Sequence, residues 1–326
     1  MFHTIPTVVR AEGALLQRLV AATPPTTSHG LRGEAFKTFE AAGSRTEWAL
    51  RHRRRFALVD GSRLLAAATR YDLTGRLDQR PVSICGLGAV FEGPDHSIGD
   101  GAAETLVERL LQDATRDGAD LALALRDSNV TFPQLPGFEA IPLADVELTV
   151  AESARHGAPM MTVRGGGDRD LAAIAEMGRA RARPFRFHLD RDSDLVKNAI
   201  TRTRLLAGLA PAGSRQLEFV IAEEGITAAA YVVISVVDGR WTVEECGDRD
   251  GSGARVGALL QALIAREPAE TRPVIRGWLP AGFVPPQVTI ASTPPATTLL
   301  IRVLSAHARR LNLSSADVLY WRSDIF

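Results

Sequence analysis

The feature that most narrows the fold of this chain is that its second half restates its first. Phe56–Tyr71 (FALVDGSRLLAAATRY) is echoed by Phe219–Val233 (FVIAEEGITAAAYVV), in each case an apolar run, a glycine turn and an alanine-rich run. A further apolar segment follows each pair, Val82–Phe91 in the first copy and Trp241–Cys246 in the second. Next come glycine-rich loops, Gly93–Gly101 and Gly247–Gly253, and then a helical pattern. Self-similarity at this scale means two copies of one strand–strand–strand–loop–helix unit, each with its own core. A length of 326 residues suits two domains of roughly 150 residues. The breaker-rich stretch Ser153–Asp170 is the expected boundary, giving domains 1–155 and 156–326.

Within the copies the periodicities are specific. Residues 10–50 read as helices with turns, Leu15, Leu16, Leu19 and Val20 lying at helical spacing. Asp60-Gly61 between two strand-like runs marks a hairpin. Ala102–Arg116 places Leu106, Val107, Leu110, Leu111 and Ala114 on one helical face, with Glu104, Glu108, Gln112 and Asp113 opposite. Leu121–Leu125 is short and wholly apolar, the mark of a buried strand, and Asp145–Val150 reads as another. Asp168 and Asp170 suit the N-cap of a helix over Leu171–Arg179. Val256–Ile264 is the second copy's helix, Pro280–Pro295 reads as irregular, Leu299–Leu304 as a strand and Ser305–Arg310 as helical. The basic run Arg51–Arg55 (RHRRR) reads as the solvated end of an element before a strand, since acidic and basic residues balance at 38 each.

Composition removes several function classes. Zero net charge offers nothing to draw the chain to nucleic acid or an anionic membrane. The longest apolar run, Ile226–Val237, is too short for a helix to span a bilayer. Met1–Leu15 carries Arg10 and Glu12 and lacks the apolar core of a secretory leader. Two distant cysteines, Cys85 and Cys246, form no disulfide framework, so a reducing cytoplasm is the expected compartment. The seven histidines form no short-spaced pair and no CxxC occurs, so no metal is expected. Cys85, within an apolar strand, reads as a core residue rather than a nucleophile.

The loop His96-Ser97-Ile98-Gly99-Asp100-Gly101-Ala102 joins an apolar strand to an amphipathic helix. Free N–H groups at a helix N-terminus behind a glycine approach can cradle a diphosphate. The loop matches neither GxGxxG nor GxxxxGKS. Together with Phe132-Pro133-Gln134-Leu135-Pro136-Gly137-Phe138-Glu139, it resembles the GNAT superfamily of acyl-CoA-dependent N-acetyltransferases. His96-x-x-Gly99-x-Gly101 is similar to that family's pyrophosphate motif with histidine in place of arginine or glutamine, and Phe132…Gly137-Phe138-Glu139 is similar to its later aromatic stretch. The resemblance covers residues 45–150 well and 185–270 in outline. The whole is similar to tandem-GNAT proteins such as the enhanced-intracellular-survival acetyltransferases and mycothiol synthases.

The resemblance implies an α/β (α+β) protein of two tandem GNAT-like domains, each a mixed, mostly antiparallel sheet flanked by helices. It implies acetyl-CoA as co-substrate and a small amine as acceptor, with direct attack in a ternary complex. Ala89, Val90 and Phe91 would splay from the parallel strand Leu121–Leu125 and bond the pantetheine arm; the amides of Ser97, Ile98, Gly99, Asp100, Gly101 and Ala102 would hold the pyrophosphate. Glu92 stands where a base could act through water, His96 could titrate near neutral pH, and the Phe326 carboxylate is a third catalytic candidate by analogy with the enhanced-survival relatives. The tyrosine that protonates the leaving thiolate in the family would fall at Pro133, which has no proton to give. The alternative reading is therefore a catalytically inactive GNAT-like protein that binds acyl-CoA or another ligand. In the second copy Asp248 and Asp250 stand where a phosphate would, which marks that half as a structural repeat. The acceptor's identity and any self-association stay open at this level.

Overall fold

The computed structural model describes residues 5–96, 101–127, 135–151, 161–293, 297–305 and 311–324. The chain forms two compact units, one over 1–142 and 296–314, the other over 143–295 and 315–325.

The first unit opens with β1 (Thr7–Arg10), α1 (Gly13–Ala22), α2 (Gly33–Gly43) and α3 (Glu47–His52), followed by β2 (Arg53–Asp60), β3 (Arg63–Leu77) and β4 (Arg80–Glu92). Helix α4 (Ala102–Arg116) leads to β5 (Leu121–Asp127) and β6 (Glu139–Leu143). The chain then passes through β7 (Val146–Val150), β8 (Thr162–Gly165), α5 (Leu171–Ala182), β9 (Phe187–Leu189) and α6 (Ser193–Leu209). Strands β10 (Arg215–Glu224), β11 (Thr227–Val237) and β12 (Arg240–Asp248) precede α7 (Ala254–Ile264), β13 (Ile275–Gly277), β14 (Val288–Ser292), β15 (Thr297–Val303) and β16 (Val318–Leu319).

The first sheet runs β1-β2-β3-β4-β5-β15-β6 and the second β8-β10-β11-β12-β13-β7-β14. Along these seven-strand paths the two sheets correspond position by position. Each has an antiparallel meander, then one parallel pair, β4 with β5 and β12 with β13, because a helix crossover must return the chain in the same direction. The next position in each sheet comes from the other half of the sequence: β15 completes the first sheet against β5, and β7 completes the second against β13 and β14.

This exchange explains where the sequence reading of the boundary departs from the structure. A break at 155/156 would leave β7 with the first domain, whereas β7 belongs to the second unit and β15 to the first. Chain breakers mark where the chain is flexible; strand pairing decides which sheet a segment joins. Pro280–Pro295 likewise holds a strand, β14, that pairs β7 through Val288–Ser292. Asp170 stands at the N-cap of α5 as expected, but its side chain makes no cap bond to that helix. Asp170 instead accepts from the Gly167 N–H and pairs with Arg164.

The cores follow the helical stripes. Leu106, Val107, Leu110, Leu111 and Ala114 of α4 are buried against Leu58, Ala66, Ala68, Leu87 and Val90 on one face of the first sheet. Each large apolar side chain there contributes about 1.5–3 kcal/mol. On the other face α1 packs Leu19 and Leu15 against Ala57, Ala67 and Phe91. Cys85 lies within the first core, where burial lifts its thiol to about 11, so it is no nucleophile.

Candidate functional site

The parallel pair β4–β5 holds register only from Ile84–Leu121 to Leu87–Ala124. Beyond Leu87 no β5 residue pairs with β4, so Gly88–Glu92 presents its β5-side backbone unpaired by that neighbour. A bulge accompanies the separation. Thr69 pairs Gly88 and Ala67 pairs Phe91, so Ala89 and Val90 together face Ala68. Ala89 takes φ 46, a conformation that L-residues adopt rarely, and the extra residue turns β4 away from β5. Of the expected cofactor-binding residues, Ala89, Val90 and Phe91 therefore lie at a parting of two parallel strands.

Two glycines shape the approach to α4. Gly93 donates to the Leu65 carbonyl at 2.7 Å, and a Cβ there would meet the Leu64 oxygen at 2.1 Å. Gly101 is the N-cap of α4 at φ 59, which glycine adopts without strain. Ala102 and Ala103 open the helix, both buried. The expected pyrophosphate residues Ser97, Ile98, Gly99 and Asp100 lie outside the described residues, as do Pro133 and Phe326.

The side chains assigned catalysis are engaged locally. Glu92 Oε1 accepts the Ala103 N–H at 3.1 Å, so its carboxylate caps α4. Its Oε2 is buried without a partner. His96 Nδ1 lies 2.6 Å from the Gly93 carbonyl, which fixes its ring as a clasp on the loop. The second unit repeats the arrangement at the equivalent position: Asp248, at the end of β12, accepts from the Arg255 N–H at 2.9 Å, also the second residue of its helix. Its helix is capped by Gly253 at φ 76.

In the second unit the parting strand carries a buried side-chain ion-pair cluster. Strand β12 pairs β13 only over Trp241–Val243. Past that point Glu245 is buried, accepting both Nη groups of Arg191 at 2.6 and 2.8 Å and the Tyr231 hydroxyl at 2.5 Å. Arg191 Nε also meets Asp324 at 3.0 Å. Burial raises the Asp324 carboxyl to about 6. Trp278, directly after β13, packs on Tyr320 and Trp321 at 5.9 and 5.7 Å. Tyr320, Trp321 and Asp324 are thus fastened to the Arg191–Glu245 pair of this unit's β12 and to the β13 exit. The acidic loop is spoken for as well, with Arg255 bridging Asp248, Asp250 and Glu224.

The basic run departs most from its sequence reading. Arg53 and Arg55 open β2, the first partly buried and the second buried, at 16% and 8% side-chain exposure, both paired to Glu40 of α2. They continue the inward face of Ala57 through the two-residue strand period. Glu40 completes an otherwise apolar stripe with Phe36 and Phe39. Those two periodicities were visible in the sequence; that they meet was not.

A seven-position mixed sheet with a bulged fourth strand parting from a parallel fifth, followed by a helix behind a glycine cap, occurs here in both units. The chain has the fold of the GCN5-related N-acetyltransferases, in tandem. A GCN5-related N-acetyltransferase from Kribbella flavida is similar at TM-score 0.64 and 18% identity over 93% of this chain and 73% of that one. Eis1 from Mycobacterium abscessus is similar at TM-score 0.59 and 14% identity, covering 92% and 74%. N-myristoyltransferase from Saccharomyces cerevisiae, solved with bound myristoyl-CoA, is similar at TM-score 0.52 and 8% identity, covering 91% and 82%. No protein-family model and no curated protein sequence matches. Among the described residues no group of three or more His, Cys, Asp and Glu is placed to hold a metal, and no helix is long and apolar enough to cross a membrane.

Proposed function

We propose that the first unit binds an acyl-CoA, acetyl-CoA in the simplest case, and transfers the acyl group to a small-molecule amine. The observation that carries this reading is the parting of β4 from β5 after Leu87, beside the N-terminus of α4. Unpaired strand backbone must find partners, and an extended amide-bearing arm such as pantetheine supplies them as an added strand would. Ala89, Val90 and Phe91 would hold that arm, and the amides from Ser97 to Ala102 the diphosphate, assisted by the positive end of α4. In a ternary complex the neutral amine nitrogen bonds to the thioester carbonyl carbon, the C–S bond breaks, and the proton lost by nitrogen ends on the departing thiolate. The second unit, in which Glu245 of β12 pairs with Arg191 and Arg191 with Asp324, serves as a structural repeat. Two free, buried cysteines fit a reducing, cytoplasmic setting.

A second reading, ligand binding without turnover, is favoured by one specific observation. The Glu92 carboxylate already occupies an N–H of α4 on which a phosphate would draw. The experiment is a thermal-shift titration with acetyl-CoA followed by thiol release across an amine panel. At about 100 times its dissociation constant the ligand adds about 2.7 kcal/mol of stability. A shift with thiol release supports transfer, and a shift without it supports the second reading. Absence of a shift removes both.

A further inference from the structure

The ion pair between Arg302 and Glu108 has no part in the reaction as described so far. Arg302 lies on β15 opposite Ala122 of β5. Ala122 and Leu300, two residues before Arg302, both belong to the core beneath α4. Cross-strand pairing and strand alternation therefore turn the Arg302 side chain toward that helix. There its Nη1 donates to Glu108 Oε1, and its Nη2 donates to Oε2 at 3.4 Å. Nη1 also donates to the Pro136 carbonyl at 3.2 Å. At Gly137 the backbone takes φ 76, and a Cβ there would come within 3.4 Å of Arg302 Nε. The guanidinium thus lies against the turn that enters β6. One side chain ties together β15, α4 and the approach to β6.

These elements frame the parting of β4 from β5. Strand β5 pairs β4 only as far as Ala124, but it pairs β15 over its whole length, Leu121–Asp127. Strand β15 therefore holds the far wall, Leu125–Asp127, where β4 has turned away. Helix α4 starts at the near wall, where Glu92 of β4 caps it at Ala103. Burial of the α4 stripe is strong but non-directional, so it does not by itself fix where along the sheet the helix comes to rest. A two-bond fork between guanidinium and carboxylate does. Arg302 joins the helix at the near wall to the strand that holds the far one. The Arg302 and Glu108 side chains are 28% and 38% exposed, and a pair so open to water adds little to stability. Its effect is on placement.

We propose that Arg302 is a positioning residue for the acyl-CoA site of the first unit, setting the width of the β4–β5 parting by fixing α4 to β15. It touches no reacting atom. Through the strand it supplies, the second half of the sequence takes part in the first unit's site. This proposal rests on the acyl-transfer reading above, and its test is arranged to fail separately from that reading.

Acetyl-CoA is titrated calorimetrically into the full chain and its variants, each also melted without ligand. Arg302→Met weakens binding about tenfold, while its melting temperature stays within about 2 °C of wild type. Arg302→Glu combined with Glu108→Arg rebuilds the tie with its partners exchanged, and affinity returns to within about threefold of wild type. An arginine that acted on the ligand through its own charge would not be rescued in this way. Hydrogen exchange on the wild-type chain needs no variant to fold. Because coupling is reciprocal, acetyl-CoA slows exchange of the β15 amides as well as those of Ala89–Phe91. Affinity unchanged in Arg302→Met, a loss of affinity matched by a drop of several degrees in melting temperature, no recovery in the exchanged pair, or β15 exchange indifferent to acetyl-CoA each overturn the proposal alone. A wild-type chain that gives no acetyl-CoA signal overturns the acyl-transfer reading, and this proposal with it.

Discussion

Glu92 and Asp248 illustrate how one residue position can carry opposing demands. Each ends the fourth strand of its sheet and caps the second N–H of the following helix. A carboxylate there is favoured by the helix dipole by about 0.3–1 kcal/mol, yet it stands where a diphosphate would bring like charge. Replacing Glu92 by Gln should therefore lower thermal stability slightly and tighten acetyl-CoA binding roughly two- to fivefold, read by calorimetric titration. Unchanged affinity would place the diphosphate elsewhere. At Asp324 the sign of the pH effect follows from a carboxyl raised to about 6 by burial. The folded state holds this proton more tightly than the unfolded chain. The associated stability is therefore full below the ordinary aspartate range, near pH 4, and is lost as pH rises through about 6. Asp324→Asn should flatten the dependence of melting temperature on pH between 4 and 7, gaining on the wild type as pH rises. A parallel pair of profiles would show that Asp324 ionises freely.

At the scale of elements, the decisive one is the bulge at Ala89. A single extra residue turns β4 from its parallel neighbour, and its φ of 46 is held by pairing on the β3 side, Thr69 with Gly88 and Ala67 with Phe91. A β-branched side chain tolerates that conformation poorly. Ala89→Val should cost about 1–2 kcal/mol, measured by urea denaturation, and should weaken acetyl-CoA binding more than its stability loss explains. Helix α4 was legible from sequence to the residue, Ala102–Arg116, because its apolar stripe and flanking glycines are local signals. The hairpin β2–β3 was legible for the same reason, at Asp60-Gly61. Burial of Arg53 and Arg55 was not. Nothing near them in sequence supplies the compensating charge; it arrives from α2, thirteen residues before Arg53, on a separate element.

At the scale of the whole molecule the two sheets are interwoven by sequence. Strand β7 completes one and β15 the other. Fragments cut at the boundary suggested by chain breakers, 1–155 and 156–326, each lack a strand that their sheet needs next to its parallel pair. Neither should melt cooperatively alone, and mixing them should restore folded signal by circular dichroism and size-exclusion chromatography; a cooperative melt of 1–155 by itself would contradict the exchange. The sequence by itself determined what depends on near neighbours along the chain: the duplication, the strand and helix periods, the glycine-framed loop and the family likeness these suggest. Only the tertiary structure decided which strands exchange, that Glu92 faces a helix end instead of solvent, and that a basic run turns inward on one glutamate. Those outcomes depend on pairing and desolvation between segments far apart in sequence, whose energies no local pattern encodes.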